Sequence, residues 1–559
     1  MDFNTERIKT LLTEIEQYRR RTVADYSESQ KVNYIESKNE CSLLQNPNNH
    51  IIYARRGCGK TTLLLNAKSM SQNNYSILIE CQKDEYNDMS QYDVLLNVLL
   101  ESFEKLSSEL CKEEKKLIKR YFSLKPFCFR PIKYKKIKKI YINIENTITL
   151  LKNRINKLIK LEDEYTYTVD LDSTEKKVQN SSQEFSLGAE VYGKLSLSKQ
   201  FLDSLFELDA GLDISGKFNT EFNNSTYKES TTTKKGTKTI TVKKSDKIIQ
   251  LKKTLISFYS DFKKILEKAI FYYLDDFYQI KKEYHPYLIH FLHDISKSSV
   301  SRSFCFNLVA LPNSLKINFD NRITFSLKDD FSIIKMDFSL SNMNELKNQL
   351  FAITEKIQNN QQIKKEEFIN FFNNEDTINY LIMATGGIPR DFMSGLSYAI
   401  SLAAQNRNEK IDKNIIFEIV KSLRDDKEKN YEKDSDLPLD IINKAVDMLK
   451  TEVVEGLKTN IILYPIEQIT GNHEIILNNL INLTYLHVIK DSITSENTKK
   501  KCRAFLIDMT FWGTSRKTPG FDIRTFWKKA EKSRLSVISQ SKVWSFSESD
   551  IELLFTVNK

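Results

Sequence analysis

The stretch YARRGCGKTTLL, residues 53–64, places two glycines, a lysine and two threonines in one short segment. The backbone N–H groups of such a turn can bind a phosphate chain when no side chain projects inward, and Gly57 and Gly59 provide that clearance. Lys60 is then placed to reach the β- and γ-phosphates, and the Thr61 hydroxyl is placed to bind Mg²⁺. The residues predicted to contact the nucleotide are Ala54, Arg55, Arg56, Gly57, Cys58, Gly59, Lys60, Thr61 and Thr62.

The loop departs at one position from the usual pattern G-x-x-x-x-G-K-[ST], because Ala54 replaces the first glycine. That position needs only a small residue, so alanine is compatible with the turn. An apolar run at 51–53 predicts a buried strand before the loop, and the residues from Lys60 onward predict a helix after it. This context favours a phosphate-binding loop over a chance G-x-G-K-T at the start of a helix.

A phosphate loop needs a second strand that ends in a carboxylate near the metal, and KAIFYYLDDFYQI, residues 268–280, is the best such segment. Asp275 would hold Mg²⁺ directly or through a water, and Asp276 would orient and deprotonate the attacking water. The alternative is an ordinary strand end with two solvated aspartates. Because aspartate is one methylene shorter than the glutamate often used at the second position, slow turnover is an open outcome.

Two further segments could contact the γ-phosphate. SFCFNLVALPNSLKI, residues 303–317, is a buried strand that becomes polar at its end, and Asn313 is the candidate for an amide that senses the γ-phosphate. An ordinary turn explains Asn313 equally well. In MATGGIPRDFMSG a Gly-Gly turn precedes Pro389, and Arg390 lies in the first turn of a helix, where a cation opposes the helix dipole and favours a bound anion. The alternative is a surface charge.

In this order the segments resemble the AAA+/STAND group of P-loop ATPases, in particular the branch of origin-recognition and initiator ATPases. The resemblance rests on the loop, on the two acids after a strand and on the lid motif GGIPR, and it covers about residues 48–100 and 247–425. It implies ATP and Mg²⁺ as cofactors, bound between a parallel α/β sheet and a helical lid. It also implies a homo-oligomer in which a neighbour supplies an arginine, for which Arg302 and Arg322 are the candidates.

The spacing of the motifs predicts an insertion, because Lys60 and Asp275 lie 215 positions apart. Strands of a compact α/β core are usually joined by much shorter connections. We therefore expect an α/β fold with a P-loop sheet, a helical lid, an inserted arm and a C-terminal winged helix. The predicted units are a helical segment at 1–47, the core at 48–106, the arm at 107–246, the rest of the core at 247–340, the lid at 341–424 and the winged-helix domain at 439–559.

The positive charge of the chain is concentrated in the arm. Residues 112–160 contain sixteen Lys and Arg against three Glu, out of a net charge of +10 for the whole chain. Such a block suits sequence-independent contacts to nucleic acid, although a solvated helical face is the other interpretation. Isoleucines and leucines from 137 to 158 recur at helical spacing and predict a helical hairpin, and two-residue alternation at 186–198 and 208–222 predicts long antiparallel strands.

The composition predicts a folded cytoplasmic protein. The N-terminus lacks the pattern of a secretory signal, and no run of about 18 apolar residues could span a membrane. Seven scattered cysteines without a C-x-x-C pair indicate reduced, structural thiols.

The sequence thus favours an ATPase acting as a nucleotide-controlled, oligomerising switch that engages nucleic acid or an effector protein. The large arm on such a core looks like the ATPase component of a bacterial anti-phage or mobile-element system. The alternative is a scaffold that holds a nucleotide as a folding ligand and docks other proteins without significant turnover.

Overall fold

The structure is a computed structural model that describes residues 2–19, 34–36, 39–71, 73–123, 130–170, 237–319, 325–336, 340, 342–358, 363–428, 437–513, 519–528 and 531–555. The first part of the chain forms an α/β core that carries a helical arm. Its elements are α1 (Glu6–Arg19), α2 (Glu40–Leu44), β1 (His50–Tyr53), α3 (Lys60–Met70), β2 (Asn74–Glu80), α4 (Gln91–Ser123), α5 (Arg130–Ile159), β3 (Glu164–Asp170), β4 (Thr237–Lys243), α6 (Lys244–Leu266), β5 (Ala269–Asp275), α7 (His285–Ser298), β6 (Phe304–Ala310), α8 (Leu327–Asp330) and β7 (Ser332–Lys335).

Five of these strands form a parallel sheet in the order β2-β5-β6-β1-β7. The strand that precedes the glycine loop and the strand that ends in the acid pair are therefore separated by one strand, β6. Because all five strands run in the same direction, their carboxyl ends meet at one edge of the sheet. The loop after β1, the acids that end β5 and the turn after β6 all lie at that edge.

Alternate residues of β1, β5 and β6 are buried against opposite layers of helices, as expected for a parallel sheet covered on both faces. Ile52 and Tyr273 pack with α3 in one core cluster. Ile51 and Tyr272 pack on the other face with the apolar sides of α4, α6 and α7. This three-layer arrangement fixes the direction in which the loop and the acids leave the sheet.

The inserted arm begins within a core helix. Helix α4 starts at the sheet and continues into the arm, where it packs along α5. The face of α5 that meets α4 buries Ile144, Ile148, Leu151 and Ile155, which is the seam that the sequence predicts. Strands β3 and β4 pair antiparallel beyond this hairpin, and the strands predicted at 186–198 and 208–222 lie outside the described residues.

The helical lid follows the sheet, and the N-terminal helix packs on it. Helix α1 buries Ile8, Leu11 and Ile15 against the lid, and Arg7 forms an ion pair with Glu367. The lid helices are α9 (Met343–Lys356), α10 (Lys365–Ile369), α11 (Glu375–Ala384), α12 (Pro389–Gln405) and α13 (Lys413–Glu428). Since α13 ends at Glu428, this helix extends four residues beyond residue 424, the predicted end of the lid.

The C-terminal domain has the order and the hairpin expected of a winged helix. Its elements are α14 (Leu439–Met448), a π-helix (Leu449–Leu457), β8 (Ile461–Pro465), α15 (Gly471–Asn482), β9 (Leu486–Thr494), β10 (Lys501–Ile507), α16 (Met509–Trp512), α17 (Glu531–Ser539), β11 (Lys542–Val543) and α18 (Glu548–Phe555). The sheet order is β11-β8-β10-β9, with β9 and β10 forming the hairpin. Apolar side chains of this domain and of the lid form one continuous core.

The predicted α/β class with a parallel central sheet is confirmed. Short 3₁₀ segments complete the described structure at Asp84–Asn87, Phe277–Gln279, Val300–Arg302, Ile466–Gln468 and Phe526–Lys528. The six cysteines within the described residues are free thiols, and Cys128 lies outside them. In the described part of the chain no helix is long and apolar enough to cross a membrane.

Candidate nucleotide-binding site

The glycine loop links β1 to α3 through two residues in the left-handed region. Gly57 has φ +82° and Gly59 has φ +85°, a conformation that residues with a Cβ adopt at a cost. Gly59 is the N-cap of α3, so the positive end of the helix begins at Lys60. Ala54 is fully buried, and its N–H donates to the carbonyl of Ala310 on β6. The loop is thus anchored to the sheet at the position where the usual glycine is replaced.

The Lys60 ammonium lies inside the loop. It is 7% exposed, and its Nζ donates to the carbonyl oxygens of Ala54 at 3.3 Å and Arg55 at 3.4 Å. The same Nζ lies 5.7 Å from the centre of the Tyr278 ring, a cation–π distance. Tyr278 was not predicted as a site residue. The signal that could have found it is an aromatic residue shortly after the acid pair, in the segment DDFYQ.

The structure brings the glycine loop and the acid pair together. Thr61 Oγ1 donates to Asp275 Oδ2 at 2.5 Å. The other carboxylate oxygen of Asp275 accepts from the backbone N–H of Asp276 at 3.0 Å. Asp276 is buried and has φ +51°, an uncommon conformation for a residue other than glycine. The Asp275 carboxylate therefore has a hydrogen bond at each of its two oxygens.

The negative charge of the acid pair affects the neighbouring cysteine, Cys81. The backbone N–H of Cys81, at the end of β2, donates to the carbonyl of Asp275. Burial, together with the charges of Glu101, Asp275 and Asp276, raises the pKa of the Cys81 thiol well above its usual value. This cysteine stays a neutral thiol beside the acids.

The oxygen atoms of Thr61 and Asp275 fit Mg²⁺. This ion prefers oxygen ligands, keeps several waters and usually takes only one or two carboxylates together with substrate phosphates. Within the described residues there is no group of three or more His, Cys, Asp and Glu that could hold a metal by itself. The residues therefore suit a metal that is bound jointly with a phosphate chain.

The lid contacts the loop through the GGIPR turn. The backbone N–H of Arg390 donates to the carbonyl of Gly57 at 3.3 Å. A Cβ on Gly57 would lie 2.8 Å from Ile388 Cγ2 and 3.0 Å from Arg390 Cβ, so only glycine permits this approach. Arg390 and Arg56 line a cleft of about 400 Å³ bounded by α1, the lid and the end of α15. Arg19 and Lys427 also line this cleft, together with the carboxyl groups of Glu16, Asp391 and Asp426, so its lining combines basic and acidic side chains.

Two predicted site residues contact the C-terminal domain. Arg55 is buried, and its Nη1 lies 3.2 Å from both the carbonyl oxygen of Gly386 and His487 Nδ1. Asn313 lies in an exposed turn with φ +60°, and its Nδ2 donates to Asn478 Oδ1 at 3.0 Å. His487 and Asn478 were not predicted as site residues, and nothing in their local sequence points to the loop.

Of the two candidate finger arginines, the structure describes Arg302. Arg302 precedes β6 and donates to Asn48 and Pro47, which precede β1, so it lies at the amino end of the strands. Arg322 lies outside the described residues.

Two solved structures are similar to the chain over most of its length. One is the Aeropyrum pernix ORC2 protein in ADPNP-ADP complexes, which is 9% identical with a TM-score of 0.37 and covers 97% of this chain and 98% of its own. The other is the Aeropyrum pernix ORC1 protein in complex with DNA, which is 11% identical with a TM-score of 0.31 and covers 89% of this chain and 95% of its own. At such low scores the likeness adds no weight to the sheet order and contacts described above. No protein-family model and no curated protein matches the sequence.

Proposed function

We propose that the chain is an ATPase of the AAA+ type that binds MgATP at residues 54–62. Lys60 contacts the β- and γ-phosphates, Thr61 and Asp275 hold Mg²⁺, and Asp276 orients the attacking water. The observation that carries the proposal is the 2.5 Å hydrogen bond between Thr61 and Asp275. It joins the phosphate loop to the acid strand at one edge of a parallel sheet.

The lid gives this site a means to change conformation. Arg390 lies beside the loop. Its backbone N–H donates a hydrogen bond to the carbonyl of Gly57, and its side chain lines the adjoining cleft. A guanidinium that gains a γ-phosphate contact stabilises one position of the lid, and hydrolysis removes that contact. We therefore propose a nucleotide-controlled switch that assembles as a homo-oligomer.

We propose that the switch engages nucleic acid or an effector protein and that it acts in bacterial defence. We propose the basic segment 112–160, whose described helices are α4 and α5, as the contact for a nucleic-acid partner. Within it, Lys138 and Lys139 are exposed on α5. Contacts of lysines to phosphates would be independent of base sequence and strongly dependent on salt.

The test is phosphate release and nucleotide exchange by purified protein. Slow but catalytic release of phosphate that requires Mg²⁺ supports the ATPase. A nucleotide that is retained through purification, does not exchange and yields no phosphate supports instead a scaffold stabilised by its ligand. Mass measurement with and without MgATP, followed by addition of DNA at two salt concentrations, separates assembly from nucleic-acid binding.

A further inference from the structure

The turn that follows the acid pair carries an aromatic side chain to the phosphate loop. This turn is the 3₁₀ segment Phe277–Gln279, which comes directly after Asp276. Its middle residue is Tyr278, and the centre of the Tyr278 ring lies 5.7 Å from Lys60 Nζ. The end of β5 and this turn together place a carboxylate beside Thr61 and an aromatic ring beside Lys60.

Buried contacts hold the turn in place. The Phe277 side chain is fully buried, and its ring centre lies 5.0 Å from that of His285. Burial lowers the pKa of His285 to about 4, so its imidazole is neutral at physiological pH. The Nε2–H of this ring donates to the carbonyl of Ile280 at 2.8 Å. Tyr278 is therefore carried by a turn whose position is fixed by contacts other than the one to Lys60.

The ammonium of Lys60 is buried. The residue is 7% exposed, and within the described part of the chain the contacts of its Nζ are the carbonyls of Ala54 and Arg55 and the ring of Tyr278. Burial of a cation costs free energy unless other groups replace the lost water. The two carbonyls and the negative face of the ring replace part of it, and a phosphate group would supply the opposite charge.

The ring holds the ammonium in a way that leaves it able to bind phosphate. An ammonium has three N–H groups, and the two carbonyls accept from two of them. The π face attracts the charge as a whole and needs no directed N–H, so the third N–H remains for a phosphate oxygen. An acidic side chain in the place of Tyr278 would instead pair with Lys60 and compete with the phosphates.

We propose that Tyr278 is a positioning residue of the nucleotide site, whose ring holds the Lys60 ammonium within the glycine loop without neutralising it. This inference rests on the proposed function, in which Lys60 contacts the β- and γ-phosphates. The ring restricts the long side chain of Lys60 before the nucleotide arrives, so that less rotamer freedom is lost on binding. Loss of the ring should therefore weaken nucleotide binding, and it should do so through Lys60.

The first test is the affinity of three variants for a non-hydrolysable triphosphate with Mg²⁺. Tyr278→Leu removes the π face and is expected to weaken binding roughly three- to tenfold. Tyr278→Phe keeps the face and is expected to bind within about twofold of the unmodified protein. Tyr284→Leu is the matched control, because Tyr284 lies in the same connection and its ring centre is 5.5 Å from Lys281 Nζ. This control is expected to bind as the unmodified protein does.

The second test asks whether the effect of Tyr278 passes through Lys60. The affinity change caused by Tyr278→Leu is measured in the unmodified chain and in the Lys60→Met background, as a double-mutant cycle. In that background the Tyr278 substitution is expected to leave the affinity unchanged, because no cation remains beside the ring. ADP with Mg²⁺ is the probe for all four proteins, since it retains the β-phosphate that Lys60 contacts.

The third test varies the charge distribution of the ring at nearly constant size. Phenylalanines with one, two and three ring fluorines are incorporated at position 278, and each fluorine weakens the negative potential of the π face. Triphosphate affinity is expected to fall stepwise along this series. A ring that only fills space would give equal affinities. The series also keeps the proposal testable if Tyr278→Leu does not fold.

The outcomes separate this inference from the proposed function. Equal affinities along the fluorine series, or equal losses from Tyr278→Leu with and without Lys60, overturn the positioning role and leave the ATPase standing. Tighter binding by Tyr278→Leu also overturns it, because the ring would then hold the ammonium away from the phosphates. Binding of neither nucleotide by the unmodified protein overturns the proposed function and the positioning role with it.

Discussion

Thr61 and Asp275 share a 2.5 Å hydrogen bond although 214 positions separate them in the chain. The two residues meet because β1 and β5 run parallel in one sheet with only β6 between them. The intervening arm leaves and rejoins the core through the continuous helices α4 and α6, so it does not disturb this edge. A hydroxyl and a carboxylate therefore lie at one edge of the sheet, beside the glycine loop.

Replacement of Lys60 by alanine is expected to lower ATPase activity about a hundredfold or more, because the cation that stabilises the transferred phosphoryl group is lost. The measurement is steady-state phosphate release. Lys68→Ala is the control: Lys68 lies on the same helix but pairs with Glu109 at 3.0 Å. Undiminished activity of the Lys60 variant would rule out the assignment of the loop.

Asp276→Asn is expected to keep MgATP binding and to slow hydrolysis by roughly two orders of magnitude, because asparagine cannot accept the proton of the attacking water. Asp275→Asn should instead weaken the dependence of binding on Mg²⁺. Titration of nucleotide with and without the metal, together with single-turnover hydrolysis, distinguishes the two effects. The roles proposed here are wrong if the two variants behave alike.

Gly57→Ala and Gly59→Ala form a matched pair. Both glycines have positive φ, so each substitution is expected to cost about 1 kcal/mol of unfolding free energy through backbone strain. Gly57→Ala should cost more, because its Cβ would meet Ile388 and Arg390, whereas nothing lies within 4 Å of a Cβ at Gly59. Denaturant unfolding compares the pair, and equal losses would contradict the close packing of the lid turn on the loop.

His487 is expected to make stability fall below neutral pH. Burial lowers the pKa of His487 from 6.5 to about 4, so the folded state favours the neutral imidazole. Its contribution is present above pH 6.5 and is lost as the pH falls toward 4, by about 2 kcal/mol between pH 7 and pH 5.

The comparison is the change in unfolding free energy over this pH range in the unmodified protein and in His487→Gln. The variant should lose about 2 kcal/mol less. His285 also has a pKa lowered by burial, to about 4, so His285→Gln is a positive control with a similar effect. If His487→Gln keeps the pH dependence of the unmodified protein while His285→Gln loses part of it, the His487 imidazole is not held neutral.

The double substitution Lys138→Glu and Lys139→Glu is expected to weaken DNA binding and to reduce the slope of log affinity against log salt by about two. Lys410→Glu with Lys421→Glu changes the net charge equally on exposed positions of the lid and is the control. Electrophoretic mobility or fluorescence anisotropy at several salt concentrations gives both quantities. Equal losses in the two variants would place the contact elsewhere than on the arm.

The local elements could be predicted from the sequence because their causes are local. Apolar runs fix β1, β5 and β6, glycines at positive φ fix the loop, and the helical spacing of isoleucines fixes the face of α5 that meets α4. The short strand β7 was not predicted. It is an edge strand of four residues, largely exposed, so it lacks the apolar run that identifies a buried strand.

The residue types and their spacing predict a glycine turn suited to phosphate, an acid pair after a strand and a large insertion between them, because each of these depends on positions close together or countable along the chain. The folded chain adds three facts that no sequence pattern indicated: β6 separates the two motifs, Asn313 contacts Asn478, and Arg55 contacts His487. These contacts join surfaces from distant parts of the chain. The packing of whole domains determines which residues meet, and the pattern of neighbouring residues along the chain does not indicate these partners.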